Sequence, residues 1–383
     1  MKTMTAWLCH CSLGLSLAFS MSACQAETVA TSKSIIVANE EVLQWQDVVS
    51  LNEPWAMVFV SNDAVLITEK SGQLQWVDVN TKAIHNISGV PAVVYGGQGG
   101  LGDVALHPDF ANNRLVYLSY AEAGDKHTQG AAVVRAKLEG VAPNLSLQNV
   151  EVIWRQMPKV TGKGHYGHRL LFGHDGKLWI SSSERQKFQP AQDMNSHLGK
   201  IIRLNDDGST PSDNPFVGQG AMTEQIWSLG HRNILGMALD VTGRLWVNEM
   251  GPQGGDEFNL IQKRGNYGYP EVSDGDHYSG RVIPNHDTRP EFIAPKIVWT
   301  PVISPSSLIR YQGSGRPNWQ HDFLMGGLSS KALIRVRIQA DSAQEMARYD
   351  MKERIRSVAQ SPDGRVWILE DGRKGRLRQL LPP

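Results

Sequence analysis

The sequence predicts an all-β fold, a six-bladed β-propeller, from three observations. No stretch sustains a 3.6-residue apolar period over three turns, and short alternating runs such as residues 64–68, 177–180 and 365–368 dominate instead. Gly, Asn, Asp and Pro punctuate these runs at short intervals. A turn followed by a short apolar strand recurs six times, at Asp63, Asp109, Asp175, Thr242, Asp322 and Asp363, with spacings of 46, 66, 67, 80 and 41 residues. Irregular repeats of this size, each one turn-plus-strand unit, are the sequence form of propeller blades. A large sandwich with coincidental Asp-Gly turns is the competing reading.

In chain order, Ser61-Asn62-Asp63 opens the first apolar run, and His107-Pro108-Asp109-Phe110 precedes the second at 115–118. His174-Asp175-Gly176 leads into 177–180, and Thr242-Gly243 leads into 244–247. The copy at Asp322-Phe323 is weaker, and Ser361-Pro362-Asp363-Gly364 before 365–368 is the last clear one. Spacings well above 40 residues imply long loops on a rigid scaffold, which is where function sits.

The ends and the composition bound the rest. Lys2, an apolar stretch from Trp7 to Phe19 and the small residues Ser22-Ala23 read as an export signal over residues 1–23. Two processing readings stay open: a lipobox ending at Cys24, which would be lipidated, or cleavage after Ala26. A linker follows over 24–45, and one propeller domain fills 46–383. The expected location is the periplasm, with membrane contact only through a lipid anchor at Cys24. All three cysteines, Cys9, Cys11 and Cys24, fall in or at the end of the signal, so the mature domain has no disulfide framework and no zinc-thiolate site. Basic and acidic residues both number 38, so no bulk charge points to nucleic acid as a partner.

Four segments rise above generic strand and turn. Gly96-Gly97-Gln98-Gly99-Gly100 lets a backbone approach a flat ligand, with Gln98 offering an amide, and taken alone reads more readily as a tight inter-blade turn. His165-Tyr166-Gly167-His168-Arg169 places a histidine suited to general-base work beside glycine, and Glu184, just past the following strand, is positioned to orient it. Gly230-His231-Arg232-Asn233 joins a planar cation to an amide and leads into an acidic, Gly- and Pro-rich stretch at 248–257 that suits a hard divalent cation. Arg354-Ile355-Arg356 puts two guanidiniums on one strand face, as Arg335-Val336-Arg337 also does, and one of the two pairs is expected to be a solvated strand face.

In order and spacing, these segments resemble the soluble PQQ-dependent aldose sugar dehydrogenases, relatives of soluble quinoprotein glucose dehydrogenase, from about Glu53 to Leu381. The resemblance is also carried by Gly199-Lys200-Ile201-Ile202-Arg203-Leu204, Asp213-Asn214-Pro215-Phe216 and Asn266-Tyr267-Gly268-Tyr269-Pro270. It implies a six-bladed propeller holding pyrroloquinoline quinone (PQQ) and calcium, an aldose substrate oxidised at the anomeric carbon to a lactone, and an external electron acceptor. His165 matches the family's base, with Arg232 polarising the quinone carbonyl. Gln98, Arg232, Asn233, Tyr278, the Gly327-Leu328-Ser329 loop, Arg354 and Arg356 match cofactor contacts. The Gly251 and Pro252 carbonyls match ligands of the cofactor's calcium, and Glu257 with the Tyr267 carbonyl matches a second, structural calcium site. Two positions depart from the pattern. Ser329 stands where the family commonly has a lysine, with Lys331 two residues on, and His168 stands where glycine is common. A calcium-dependent propeller lactonase or esterase and a cofactor-free binding propeller are the alternative readings.

Overall fold

A computed structural model describes residues 42–383, so the expected export signal, the Cys24 anchor position and most of the expected linker lie outside the described residues. Six four-stranded antiparallel sheets follow one another along the chain. The first spans 54–87, the second 101–155, the third 167–229, the fourth 234–299 and the fifth 305–350. The sixth is made of 355–380 plus Trp45–Leu51, which pairs antiparallel with Gly375–Leu380. An N-terminal strand thus completes the last blade, closing the ring without a covalent staple. The repeat markers sit at the turns before the second strand of each blade, including the weak copy, where Asp322 precedes Phe323–Gly327.

The first strand of every blade lines the centre, and these six strands contact one another in cyclic order. Each sheet is covered on both faces by its neighbours, so strands such as Ala64–Glu69 and Leu245–Glu249 are buried along their whole length. The core accordingly runs around the ring as inter-blade clusters. Leu66 packs with Leu118 and Val134 between blades one and two, and Trp246 packs with Phe323 and Ile334 between four and five. Trp367 packs with Phe59 and Ile67 across the closure. With no disulfide available, this apolar burial carries the stability, at about 25 cal/mol per Å² removed from water.

One feature of the inner strands positions the site. All six carry a register shift within their first few residues, at Pro54/Ala56, Leu101/Val104, Gly167/Leu170, Ile234/Gly236, Pro305/Leu308 and Ile355/Ser357. A bulge twists a strand and re-aims its side chains. The motif residues Gln98, His165, Arg232, Asn233, Arg354 and Arg356 all lie at or just before these irregular starts.

Candidate active site at the mouth of the propeller

The Gly-rich segment is fixed by close backbone packing. Gly100 has φ +121°, and a Cβ there would sit 2.1 Å from the Lys70 carbonyl, so only glycine fits. Gln98 follows from this placement: its Oε1 accepts the His165 N–H at 2.7 Å, and its own N–H donates to the Lys163 carbonyl at 2.7 Å. The base motif turns through left-handed backbone at His165 (φ +48°), Gly167 (+81°) and His168 (+73°). Non-glycine residues hold that region at a cost of order 1–3 kcal/mol each, which a site tolerates when the surroundings fix it.

A loop position beside glycine allows exposure, but His165 is buried at 5% exposure. Its Nδ1 lies 2.5 Å from Glu184 Oε1, while Glu184 Oε2 accepts the N–H groups of Lys187 and Phe188 at 2.6 and 2.9 Å. Burial pushes the Glu184 carboxyl up, but the His165 contact and the backbone donors outweigh it and hold it below the usual range. An ionised acceptor at that distance places the proton on Nδ1 and leaves a lone pair on Nε2. Burial, aided by the Arg232 charge, lowers the His165 pKa against the opposing pull of Glu184. The imidazole is therefore neutral at pH 7. His168 differs: burial pushes it down to about 3, and both its ring nitrogens are buried without a hydrogen-bond partner. It stacks on Tyr166 at 5.2 Å and meets Trp55 edge-on.

Two adjoining cavities carry the remaining residues. One, of about 290 Å³, is lined by Gln98, Asn233, Leu328, Arg354 and Arg356, together with Lys70 and Asp371. Asp371 draws the two arginines together, accepting from Arg354 Nε at 2.8 Å and Arg356 Nε at 2.9 Å. The other pair, Arg335 and Arg337, converges on the buried Asp322 and is a structural ion pair on blade five. The second cavity, of about 200 Å³, is lined by His165, Glu184, Arg232, Pro252 and Tyr278, with Phe188 and Tyr269 as aromatic walls. A more voluminous cavity of about 520 Å³ runs along the far ends of the inner strands, lined by Phe59, Leu106, Phe172 and Ile309, and of the four motif segments only Arg169 reaches it.

Not every expected residue joins the first cavity. Tyr278 lies on the second, 74% exposed, with the Arg232 guanidinium 5.9 Å from its ring centre. Gly327 and Ser329 are not in the wall. The Ser329 hydroxyl donates to the Val302 carbonyl at 3.2 Å, and Lys331 is exposed and does not line this cavity. Lys70, Asp371 and Phe188 were not anticipated, and Tyr269 stood in a quoted motif without an assigned role; no local motif marks the first three, because they reach the site only when blades one, three and six close on each other.

The polar groups left over test what fits here. Asn233 Oδ1 and Arg232 Nε are buried without partners, and buried polar groups in native proteins are normally satisfied. An uncommitted amide oxygen, an uncommitted guanidinium N–H and convergent cations suit a flat, polyanionic heterocycle such as PQQ. For calcium, Gly251, Pro252, Glu257 and Tyr267 line one small cavity of about 10 Å³ together with Glu249. Burial and the Glu249 carboxylate push Glu257 well above the ordinary range. A buried carboxylate pair beside backbone carbonyls is a donor set for a hard cation. Competing donors occupy two of those carbonyls: Arg232 Nη1 donates to Gly251, and His286 Nε2 lies 3.1 Å from the Tyr267 oxygen. Among the described residues no group of three or more His, Cys, Asp or Glu forms a ligand cluster, so carbonyls must supply most of any coordination.

Comparison with known proteins places this geometry. The Glucose / Sorbosone dehydrogenase family profile matches residues 51–379. The chain is 38% identical over 352 residues to aldose sugar dehydrogenase YliI of Escherichia coli (strain K12), covering 90% of this chain and 93% of that protein. The apo crystal structure of the soluble E. coli aldose sugar dehydrogenase superposes with a TM-score of 0.83 at 36% identity, covering 89% of this chain and all of the other. The PQQ-bound form of the aldose sugar dehydrogenase of Streptomyces coelicolor superposes with a TM-score of 0.73 at 26% identity, covering 88% of this chain and 98% of that one. The chain belongs to the glucose/sorbosone dehydrogenase family and is an oxidoreductase acting on sugars.

Proposed function

We propose that the protein is a PQQ- and calcium-dependent aldose dehydrogenase of the periplasm that oxidises the anomeric carbon to a lactone and passes electrons to an external acceptor. The observation that supports it most is the pairing of a neutral, carboxylate-oriented His165 with an adjoining cavity that gathers Arg354, Arg356, Gln98 and an unpartnered Asn233 oxygen.

Gln98, Asn233, Arg232, Arg354 and Arg356 would hold the cofactor, the last two by pairing with its carboxylates. When bound, PQQ supplies the carbonyl that accepts hydride from the sugar. His165 Nε2 takes the anomeric hydroxyl proton as that hydride leaves. Glu184 keeps the imidazole in the right tautomer and stabilises the imidazolium that forms. Arg232 offers a fixed cation where negative charge develops, at no reorganisation cost. Phe188, Tyr269 and Tyr278 supply apolar faces against which a sugar ring can lie while excluding water. Calcium at the cofactor would sit against the Gly251 and Pro252 carbonyls and would add to the charge stabilisation, and a second, structural calcium would take Glu257 and the Tyr267 carbonyl.

The test is reconstitution of the purified protein, followed by dye reduction with a panel of aldoses. Activity that requires both PQQ and calcium is the expected result. Full activity with calcium alone, or ester hydrolysis without PQQ, would overturn the proposal.

A further inference from the structure

The 290 Å³ cavity holds three cationic side chains, and only two were foreseen. The third, Lys70, lies in the hairpin turn between the strands Ala64–Glu69 and Gln73–Asp78 of blade one. Its backbone is pinned on both sides: its N–H donates to the Glu53 carbonyl at 3.1 Å, and its carbonyl accepts the Leu101 N–H at 3.1 Å. The side chain is 16% exposed, and its Nζ donates to the Gly97 carbonyl at 3.0 Å, one residue from Gln98. The charges around it are unevenly committed. Asp371 is taken by Arg354 and Arg356. Glu53 stands 3.8 Å from Nζ, beyond hydrogen-bond reach, while its other oxygen accepts the Tyr95 hydroxyl. Lys70 is thus an ammonium fixed at the cavity wall, hydrogen-bonded to a neutral carbonyl and to no carboxylate. The loop after Gly327 adds no cation, since Ser329 and Lys331 are not in the wall.

We propose that Lys70 binds the cofactor, its ammonium pairing with a carboxylate of the bound quinone from blade one while Arg354 and Arg356 do so from blade six. The assignment rests on the reading of the site as a PQQ site. It makes cofactor capture a link between the two blades that the N-terminal strand closes. It also explains how a chain with serine at position 329 keeps three cations for a tricarboxylate.

Equilibrium binding of PQQ in calcium buffer, followed by dialysis or by quenching of tryptophan fluorescence (Trp55 lines the cavity), tests this without turnover. Lys70→Gln keeps a donor for the Gly97 carbonyl and removes only the charge. It should weaken PQQ about tenfold, the usual worth of one charge-assisted hydrogen bond, and flatten the salt dependence of binding. Lys70→Arg should bind within about threefold of the wild type. The trimethyl ester of PQQ, which has no carboxylates, should bind wild type and Lys70→Gln equally. Equal PQQ affinity in Lys70→Gln and wild type would overturn the assignment. So would a parallel loss for PQQ and its ester, which would mark a merely structural lysine. A wild-type protein that takes up no PQQ would overturn the reading of the site itself and this assignment with it.

Discussion

Replacing Glu184 with glutamine should cripple the enzyme while leaving it folded, and the hydrogen bonds set the size of the effect. The carboxylate accepts on both oxygens, from His165 Nδ1 at 2.5 Å and from the Lys187 and Phe188 N–H groups at 2.6 and 2.9 Å. Glutamine has one acceptor oxygen. Kept toward the two backbone donors, it turns its NH₂ to Nδ1, which must become the acceptor, and the imidazole proton moves to Nε2, where the base has to be empty. Flipped the other way, it turns its NH₂ toward two part-buried backbone donors; the Lys187 N–H keeps the Glu184 carbonyl at 3.1 Å, and the Phe188 N–H loses its acceptor at about 1–3 kcal/mol. The productive tautomer is therefore disfavoured by about 1–3 kcal/mol, a loss of roughly 5- to 150-fold in turnover. The acid limb of the pH profile should move as well. Burial already draws the His165 pKa below 6.5, and Glu184 opposes that shift, so the variant's limb should fall lower still. The assay is dye-linked aldose oxidation from pH 4 to 8, with PQQ affinity and melting temperature measured alongside. A variant with cofactor bound that keeps more than about a third of wild-type turnover would refute the orienting role.

Three other outcomes follow from the same geometry. His165→Ala should bind PQQ and lose roughly 10²–10⁴ in turnover; His168→Phe, which removes two buried unpartnered nitrogens, should be no less stable than wild type, and a crippled His168→Phe beside an active His165→Ala would misplace the base. Burial pushes His168 down to about 3 and His197 to about 4, so below pH 6.5 the unfolded chain binds protons that the folded chain does not, and stability should fall by about 1.4 kcal/mol per pH unit for each histidine down to about pH 4; urea midpoints flat over that window would contradict it. Calcium should raise the melting temperature of wild type by more than that of Glu257→Ala, and equal gains in both would remove Glu257 from the structural cation site.

Much of the fold was legible because a propeller repeats its punctuation: Asp175-Gly176 and Asp363-Gly364 turn the chain before the same buried strand in different blades. The base motif was readable for a related reason, since Glu184 comes one strand after His165 and short range brings them together. The Arg354/Arg356 pair was ambiguous in sequence because Arg335 and Arg337 have the same spacing. Only the placement of Asp371 at the mouth and of buried Asp322 on blade five tells them apart. Lys70 was illegible because its role depends on the Gly97 carbonyl 27 residues away and on ring closure, neither of which leaves a local pattern. The burial of His165 left no local signal, because it comes with contacts to Gln98, 67 residues earlier, and to Glu184 on the far side of a strand.

The most direct test of the central claim is a single-turnover titration. Protein loaded with one equivalent of PQQ in calcium buffer is mixed with excess aldose, with no electron acceptor present, and both the cofactor absorbance and the lactone are quantified. One lactone per bound PQQ, together with complete reduction of the cofactor spectrum and a loss of at least about 5-fold in rate with Glu184→Gln, is the predicted result. Lactone formed without PQQ, or bound PQQ that stays oxidised in the presence of every aldose tried, would contradict it.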